Sequence, residues 1–129
     1  MTRTLTARDR QRLVGVHADL VRVLVRAAHD GSIPWRITEG VRSMDRQAEL
    51  AASGASRTMR SRHLTGHAVD LAVEDGPGGV RWDRPAYEAL AAEILAAAKA
   101  ENVSVEWGGH WRGFFDGPHF QLPWSSYPA

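Results

Sequence analysis

The chain of 129 residues contains no cysteine. Disulfide bonds, thiolate metal ligands and a cysteine nucleophile are therefore excluded, so a metal site would have to use histidine, aspartate or glutamate. Lysine is also scarce, because Lys99 is the only one among 16 basic residues and the others are arginine. The formal net charge of +1 favours neither a nucleic-acid partner nor a strongly acidic one.

Long hydrophobic runs are absent too. No stretch of about 18 apolar residues occurs, so we expect no membrane-spanning segment. The N-terminal residues lack the apolar core of a secretory signal, which predicts a protein made in the cytoplasm. A length of 129 residues with 43% hydrophobic ones fits one domain spanning 1–129, which we expect to be monomeric.

Hydrophobic periodicity predicts an α+β fold, in which helices pack around a small central antiparallel sheet. The predicted helices span 7–29 and 44–53, and a third, capped by Asp83, runs to about 100. The predicted strands span 35–40, 69–73 and 103–107, with one more short strand starting at 118. A polar, basic loop is predicted at 53–62, and the glycine-rich run 75–79 predicts a turn.

Histidine and aspartate concentrate beside glycines in two segments, 61–70 and 107–120. In the first segment, His63 and His67 have the four-residue spacing of the helical zinc motif His-Glu-x-x-His. That motif is not met, because Leu64 stands at the glutamate position and Gly66 weakens a helix. We predict instead a turn at Gly66 that brings His63 and Asp70 together.

The second segment offers the residues that such a site would still need. A catalytic zinc ion typically has three protein ligands and one open position for water, and His119 is the best candidate for the third ligand. Asp116 lies three residues earlier, where its carboxylate could act as a base without coordinating the metal. Residue types and spacing alone leave this site and a set of structural or exposed histidines equally favoured.

The same segments match the pattern of a known family. Residues 61–70 fit Ser-x-His-x-x-Gly-x-Ala-x-Asp at every fixed position, and residues 107–120 fit Trp-Gly-Gly-x-Trp-x-x-Phe-x-Asp-x-Pro-His-Phe. The chain therefore resembles the zinc D-Ala-D-Ala carboxypeptidase/dipeptidase family, and within it the endolysin branch of phage-type L-alanyl-D-glutamate peptidases. The stretches 38–43 and 46–50 also resemble the family, so the likeness covers about 35–122.

The resemblance implies an enzyme and its machinery. It implies a zinc-dependent endopeptidase that hydrolyses the L-Ala–D-Glu bond of the peptidoglycan stem peptide with zinc-activated water. By matching positions, the zinc ligands would be His63, Asp70 and His119. Asp116 would be the general base, and Arg42 would stabilise the oxyanion or hold the substrate. Dipeptidase members resemble one another in having glutamate at the base position, so aspartate there indicates the endolysin branch.

Further residues are expected at the substrate cleft, which we place on the sheet. The candidates for substrate binding are Ser61, Gln47, Trp107, Gly108 and His110. The aromatic residues Trp107, Trp111 and Phe114 either line the cleft or pack beneath its loop.

Two other functions stay open at this point: a D,D-carboxypeptidase acting on D-Ala-D-Ala, and a non-catalytic, zinc-stabilised wall-binding module. For the endolysin, the resemblance implies bacterial peptidoglycan as the partner, with no nucleic acid and no membrane. It also implies the cytoplasm of an infected host as the location until release to the cell wall.

Overall fold

The computed structural model describes residues 3–56 and 61–128. The α+β class is confirmed, with one antiparallel sheet and helices beside it. The helices are α1 (Ala7–Arg12), α2 (Ala18–Asp30), α3 (Met44–Ala52) and α4 (Arg84–Ala100). The strands are β1 (Trp35–Glu39), β2 (Ala68–Glu74), β3 (Val80–Arg81), β4 (Glu106–Trp107) and β5 (His119–Gln121). Two short 3-10 helices span Arg62–Thr65 and Gly108–His110. Part of the predicted loop 53–62, residues 57–60, lies outside the described residues.

Strand β2 is the centre of the sheet. It pairs with β1 along one edge, while β5 and β3 pair with different parts of it, and β4 follows β5. The register of β1 against β2 shifts between Ile37 and Glu39. This irregularity lies at the end of β1 that leads to Arg42, and such bulges commonly redirect a strand beside a functional site.

The hydrophobic core joins this sheet to helices α2 and α4. Leu20 and Leu24 of α2, Leu90 and Ile94 of α4, and Leu71 of β2 are completely buried in one cluster. Burial of each such side chain contributes roughly 1.5–3 kcal/mol. Because the core forms behind β2, it gives the site-bearing strands a rigid support.

Tyr87 of α4 provides a polar connection inside that core. Its hydroxyl accepts a hydrogen bond from the Val73 amide at 3.1 Å and donates one to the Arg81 carbonyl at 2.7 Å. The tyrosine thus satisfies one main-chain group of β2 and one of β3, where buried unpaired groups would be costly.

The predicted helix 7–29 is wrong as a single element, because the structure has two helices. Gly15 adopts a left-handed conformation with φ of 84°, and His17 caps α2 by accepting a hydrogen bond from the Asp19 amide at 3.0 Å. Apolar spacing continues through the break because Val16 and Leu20 face the same core. Periodicity alone therefore gave no sign of the interruption.

The other differences concern short strands. The strand predicted at 103–107 is only Glu106–Trp107, because the chain leaves α4 through Asn102 at φ 57° and the Val103 amide still bonds back to Ala98. Strand β3 was not predicted, since two residues are too few to show alternation. Within 3–56 and 61–128, no helix is long and apolar enough to cross a membrane.

A side chain at Gly66, in the turn between His63 and Asp70, should strongly destabilise the fold. The φ of Gly66 is 78°, and an added Cβ would lie 2.2 Å from the Gly15 carbonyl oxygen. Gly54 is a matched control, because its φ is 81° and no described atom lies within 4 Å of its added Cβ. We expect Gly66→Ala to lower the free energy of unfolding by at least about 1 kcal/mol more than Gly54→Ala in urea denaturation. Equal losses would show that the contact with Gly15 does not matter.

Candidate metal centre

Three side chains converge in the cleft above the sheet. One ligand atom from each of His63, Asp70 and His119 lies within 4.8 Å of the others. Asp70 Oδ1 is 3.2 Å from His63 Nε2 and 3.2 Å from His119 Nδ1. The structure therefore brings together the three residues that the sequence predicted as ligands.

Local structure explains this convergence. His63 lies in a 3-10 helix capped by the Ser61 hydroxyl, which accepts from the His63 amide at 3.2 Å. The left-handed Gly66 ends that helix and lets the chain enter β2. Asp70 on β2 then faces His119 on β5 as its direct antiparallel partner, and such partners have close side chains on one face.

His67 is separate from this group, as the rejection of the helical zinc motif predicted. Its Nδ1 lies 2.7 Å from the Thr65 hydroxyl, and its ring lies 5.5 Å from that of His17. The four-residue spacing from His63 therefore does not create a ligand pair.

The donor set fits a metal cation. Each histidine already uses one ring nitrogen as a donor: His63 Nδ1 to the Gly40 carbonyl at 2.8 Å, and His119 Nε2 to the Gln121 amide oxygen at 2.8 Å. In a neutral ring the other nitrogen is then a lone-pair acceptor, and both of these nitrogens face the Asp70 carboxylate. Two imidazoles and one carboxylate around one point suit Zn²⁺ and several other divalent ions.

The charge of the Asp70 carboxylate also favours a cation at this point. Burial disfavours a charged Asp70, but its contacts with His119 and His63 outweigh burial and hold the pKa of Asp70 well below its usual range. For His119, burial lowers the pKa, while the contact with Asp70 and its charge raise it above the ordinary value overall. The carboxylate thus stays ionised and attracts positive charge to this point.

Asp116 lies on the same cleft. Its amide donates to the Gly108 carbonyl at 3.1 Å, and its own carbonyl accepts from the His119 amide at 3.2 Å. A Cβ on Gly108 would come within 2.3 Å of the Asp116 carbonyl oxygen, so a glycine is required there. Burial raises the pKa of the Asp116 carboxyl, and the negative Asp70 raises it further against the opposing charges of His119 and His63.

Arg42 is held rigidly at the cleft wall. Its guanidinium pairs with Glu39, and its Nη1 donates to Gln47 Oε1 at 2.7 Å and lies 3.5 Å from the Ser61 hydroxyl. Its Nη2 is 3.8 Å from Asp70 Oδ2. The Arg42 amide also donates to the His63 carbonyl at 2.9 Å, which joins the arginine directly to the ligand-bearing segment.

The predicted substrate-binding residues occupy different places. Ser61 lines the cleft, whereas Gln47 is completely buried and accepts a hydrogen bond from Arg42. Trp107 is 6% exposed and donates from Nε1 to the Gly117 carbonyl at 2.7 Å. Its ring packs edge-on against His110. Among the described residues, Trp107, Gly108 and His110 support the loop and do not belong to the cleft lining.

The cleft itself is an open groove of about 1270 Å³. Of the two alternatives for the aromatic residues, Trp111 and Phe114 line the cleft, together with Leu50 and Arg46 of α3. The exposed Arg112 also lines it. The lining around the three converging side chains is therefore both apolar and cationic.

Sequence reasoning missed three residues of this centre: Glu39, Glu106 and Gln121. Gln121 carries a usable signal, because it follows His119 by two positions in a predicted strand and therefore shares its face. Glu39 stands three residues before Arg42 at the end of a predicted strand, which is weaker information. Glu106 could not be found without the pairing of β4 with β5.

The fold and the site define a class of protein: a metallopeptidase-like α+β domain with a two-histidine, one-aspartate group in an open cleft. A family model described as phage L-alanyl-D-glutamate peptidase matches residues 1–122. The chain belongs to this family.

Named relatives agree with that membership. The L-alanyl-D-glutamate peptidase of Listeria phage A118 is 39% identical over 106 residues, which cover 82% of this chain but only 36% of that protein. The peptidoglycan L-alanyl-D-glutamate endopeptidase CwlK of Bacillus subtilis (strain 168) is 31% identical, covering 88% of this chain and 74% of that protein. The crystal structure of Serratia marcescens L-Ala D-Glu endopeptidase ChiX matches with a TM-score of 0.89 and 47% identity, over 98% of this chain and 95% of that one.

Asp116→Asn should stabilise the metal-free protein at neutral pH. Since burial and Asp70 raise the pKa of Asp116 in the folded state, the charged carboxylate disfavours folding above that pKa. The neutral asparagine lacks this penalty, so its advantage should shrink as the pH falls through the raised pKa and vanish below the pKa of the unfolded chain. Thermal denaturation of chelator-treated protein at pH 7 and pH 3 measures this. Asp75→Asn in the exposed turn is the control, and an equal gain there would contradict the explanation.

Proposed function

We propose that this chain is a zinc-dependent endopeptidase that hydrolyses the L-Ala–D-Glu bond of the peptidoglycan stem peptide. The observation that carries the proposal is the convergence of His63, Asp70 and His119 in a cleft that also holds Asp116 and Arg42. Family membership over residues 1–122 supports the same activity. We further propose that 1–129 acts as one catalytic domain, since its sheet and helices share one core.

The ligand group would consist of His63 Nε2, Asp70 Oδ1 and His119 Nδ1. When bound, zinc supplies a Lewis acid that polarises the peptide carbonyl and makes water a nucleophile near neutral pH. Asp116 accepts the proton of the attacking water and passes it to the leaving amine.

Arg42 would act on the negative charge that develops on the carbonyl oxygen. Its guanidinium is already oriented by Glu39, Gln47 and Ser61, so little reorganisation is needed when the charge appears. Such preorganised donors are often the largest single catalytic contribution. In this proposal Asp116 transfers the proton, and Arg42 stabilises the negative charge on the carbonyl oxygen.

The open shape of the cleft supports an endopeptidase over a D,D-carboxypeptidase. The lining combines Leu50 of α3 and Ser56 just after it with Trp111 and Phe114 from the segment between β4 and β5. An enzyme that removes only a terminal residue does not need such surface beyond the leaving group. The two activities produce different ends from purified peptidoglycan: new N-terminal D-Glu for the endopeptidase, and free D-Ala for the carboxypeptidase. Release of D-Ala without new D-Glu ends would overturn the proposed bond.

Asp116→Asn should lower kcat on purified peptidoglycan by about 10²–10⁴-fold, because the variant loses its proton acceptor. Zinc content and the circular dichroism spectrum should stay at wild-type values, because Asp116 is not in the ligand group. This result would separate an enzyme from a zinc-stabilised wall-binding module. If the variant lyses walls as fast as the wild type, the assigned base is wrong.

His63→Ala should abolish stoichiometric zinc binding, because it removes one of three ligands. The exposed His29 on α2 provides the matched control, and His29→Ala should retain one zinc ion per chain. Elemental analysis after dialysis of both variants against metal-free buffer measures this. The same analysis of untreated wild-type protein identifies the native metal, and an unchanged zinc content in His63→Ala would show that the ligand set is misassigned.

A further inference from the structure

Two side chains beyond the ligand group form a chain of hydrogen bonds that ends on His119. His119 and Gln121 lie two residues apart on β5, so their side chains share one face of the sheet. Glu106 of β4 is the direct cross-strand partner of Gln121. His119 Nε2 lies 2.8 Å from Gln121 Oε1, and Gln121 Nε2 donates to Glu106 Oε1 at 3.0 Å.

The direction of these bonds is determined at the Glu106 end. An ionised carboxylate can only accept hydrogen bonds, so the amide nitrogen of Gln121 must face Glu106. The amide oxygen of Gln121 then faces His119, and His119 Nε2 must carry the hydrogen. In the neutral ring the lone pair is consequently on Nδ1, the atom that lies 3.2 Å from Asp70 Oδ1.

In His63 the roles of the two ring nitrogens are reversed, and a main-chain group fixes them. Its Nδ1 donates to the Gly40 carbonyl at 2.8 Å, which leaves Nε2 for the ligand position. A main-chain carbonyl can only accept a hydrogen bond, whereas the Gln121 amide could rotate and present its nitrogen to His119. Which ring nitrogen of His119 carries the hydrogen therefore depends on a second residue that fixes the orientation of the Gln121 amide.

We propose that Glu106 and Gln121 form a relay that fixes the tautomer of His119, so that Nδ1 is its metal-binding atom. Both are positioning residues that act through His119. Gln121 is buried and accepts the ring hydrogen, while Glu106 at the cleft surface prevents rotation of the amide. The inference relies on the metal site of the proposed function but not on which bond is cut.

The first test replaces the acceptor. Gln121→Met has nearly the same volume but accepts no comparable hydrogen bond, so we expect its zinc dissociation constant to rise by about 10–100-fold. Gln11→Met on the exposed surface of α1 is the matched control and should leave the constant unchanged. Competition with a chromogenic chelator measures both, and thermal denaturation of the metal-free proteins shows whether they are folded.

A second readout concerns the ring itself. Long-range ¹H–¹⁵N spectra of the zinc-loaded wild type should show His119 with a metal on Nδ1 and a hydrogen on Nε2. His63 should show the reverse. A wild-type His119 that binds zinc through Nε2 would overturn the proposal, as would a Gln121→Met affinity equal to that of the wild type.

Exchange of the two side-chain types tests the relay even if Gln121→Met fails to fold. Gln121→Glu alone places two carboxylates together, whereas addition of Glu106→Gln leaves one carboxylate at position 121 that accepts from both His119 Nε2 and the amide nitrogen at position 106. Glu106→Gln should therefore strengthen zinc binding when it is added to the Gln121→Glu variant. In the wild-type protein the same change should weaken zinc binding, because the amide of Gln121 can then rotate. The same direction of effect in both proteins would show that the two residues act independently.

Failure of this inference differs from failure of the proposed function. A wild type with the expected His119 tautomer that leaves the L-Ala–D-Glu bond intact would contradict the proposed reaction alone. An active endopeptidase whose zinc affinity does not depend on Gln121 would contradict the relay alone.

Discussion

The register between β2 and β5 is the constraint on which the centre depends. It places Asp70 directly opposite His119, and a slip of one residue would turn one of these side chains to the other face of the sheet. The core behind β2 prevents such a slip, because Val69 and Leu71 on either side of Asp70 are completely buried. The hydrophobic pattern of one strand therefore also determines the geometry of the proposed ligand residues.

The charged side chains of the cleft differ in how their charges are compensated. Asp70 is kept ionised by its contacts with the two histidines, and the charge of Arg42 is offset by Glu39. Asp116, in contrast, has a carboxyl whose pKa is raised by burial and by Asp70. The pKa values of these two nearby aspartates are thus shifted in opposite directions, which agrees with the separate roles proposed for them.

Much of this centre could be predicted from the sequence, because its residues lie in two short segments with glycines at the turns. The convergence of His63 with Asp70 follows from Gly66, and the place of His119 follows from a recognisable strand start. The orientation of Arg42 by Gln47 could not be predicted, since it depends on how α3 packs. The break at Gly15 was hidden for a similar reason: apolar spacing reports which residues face the core, and both helices face the same one.

The two histidines differ in how their surroundings constrain them. His63 is held by the Gly40 main chain, and its 3-10 helix ends at Gly66, whose close approach to Gly15 excludes any side chain there. His119 is held by the side chain of Gln121, which a single substitution can change without moving the backbone. Variation in this sequence could therefore alter metal affinity through His119 with little effect on the fold, whereas changes around His63 would affect both.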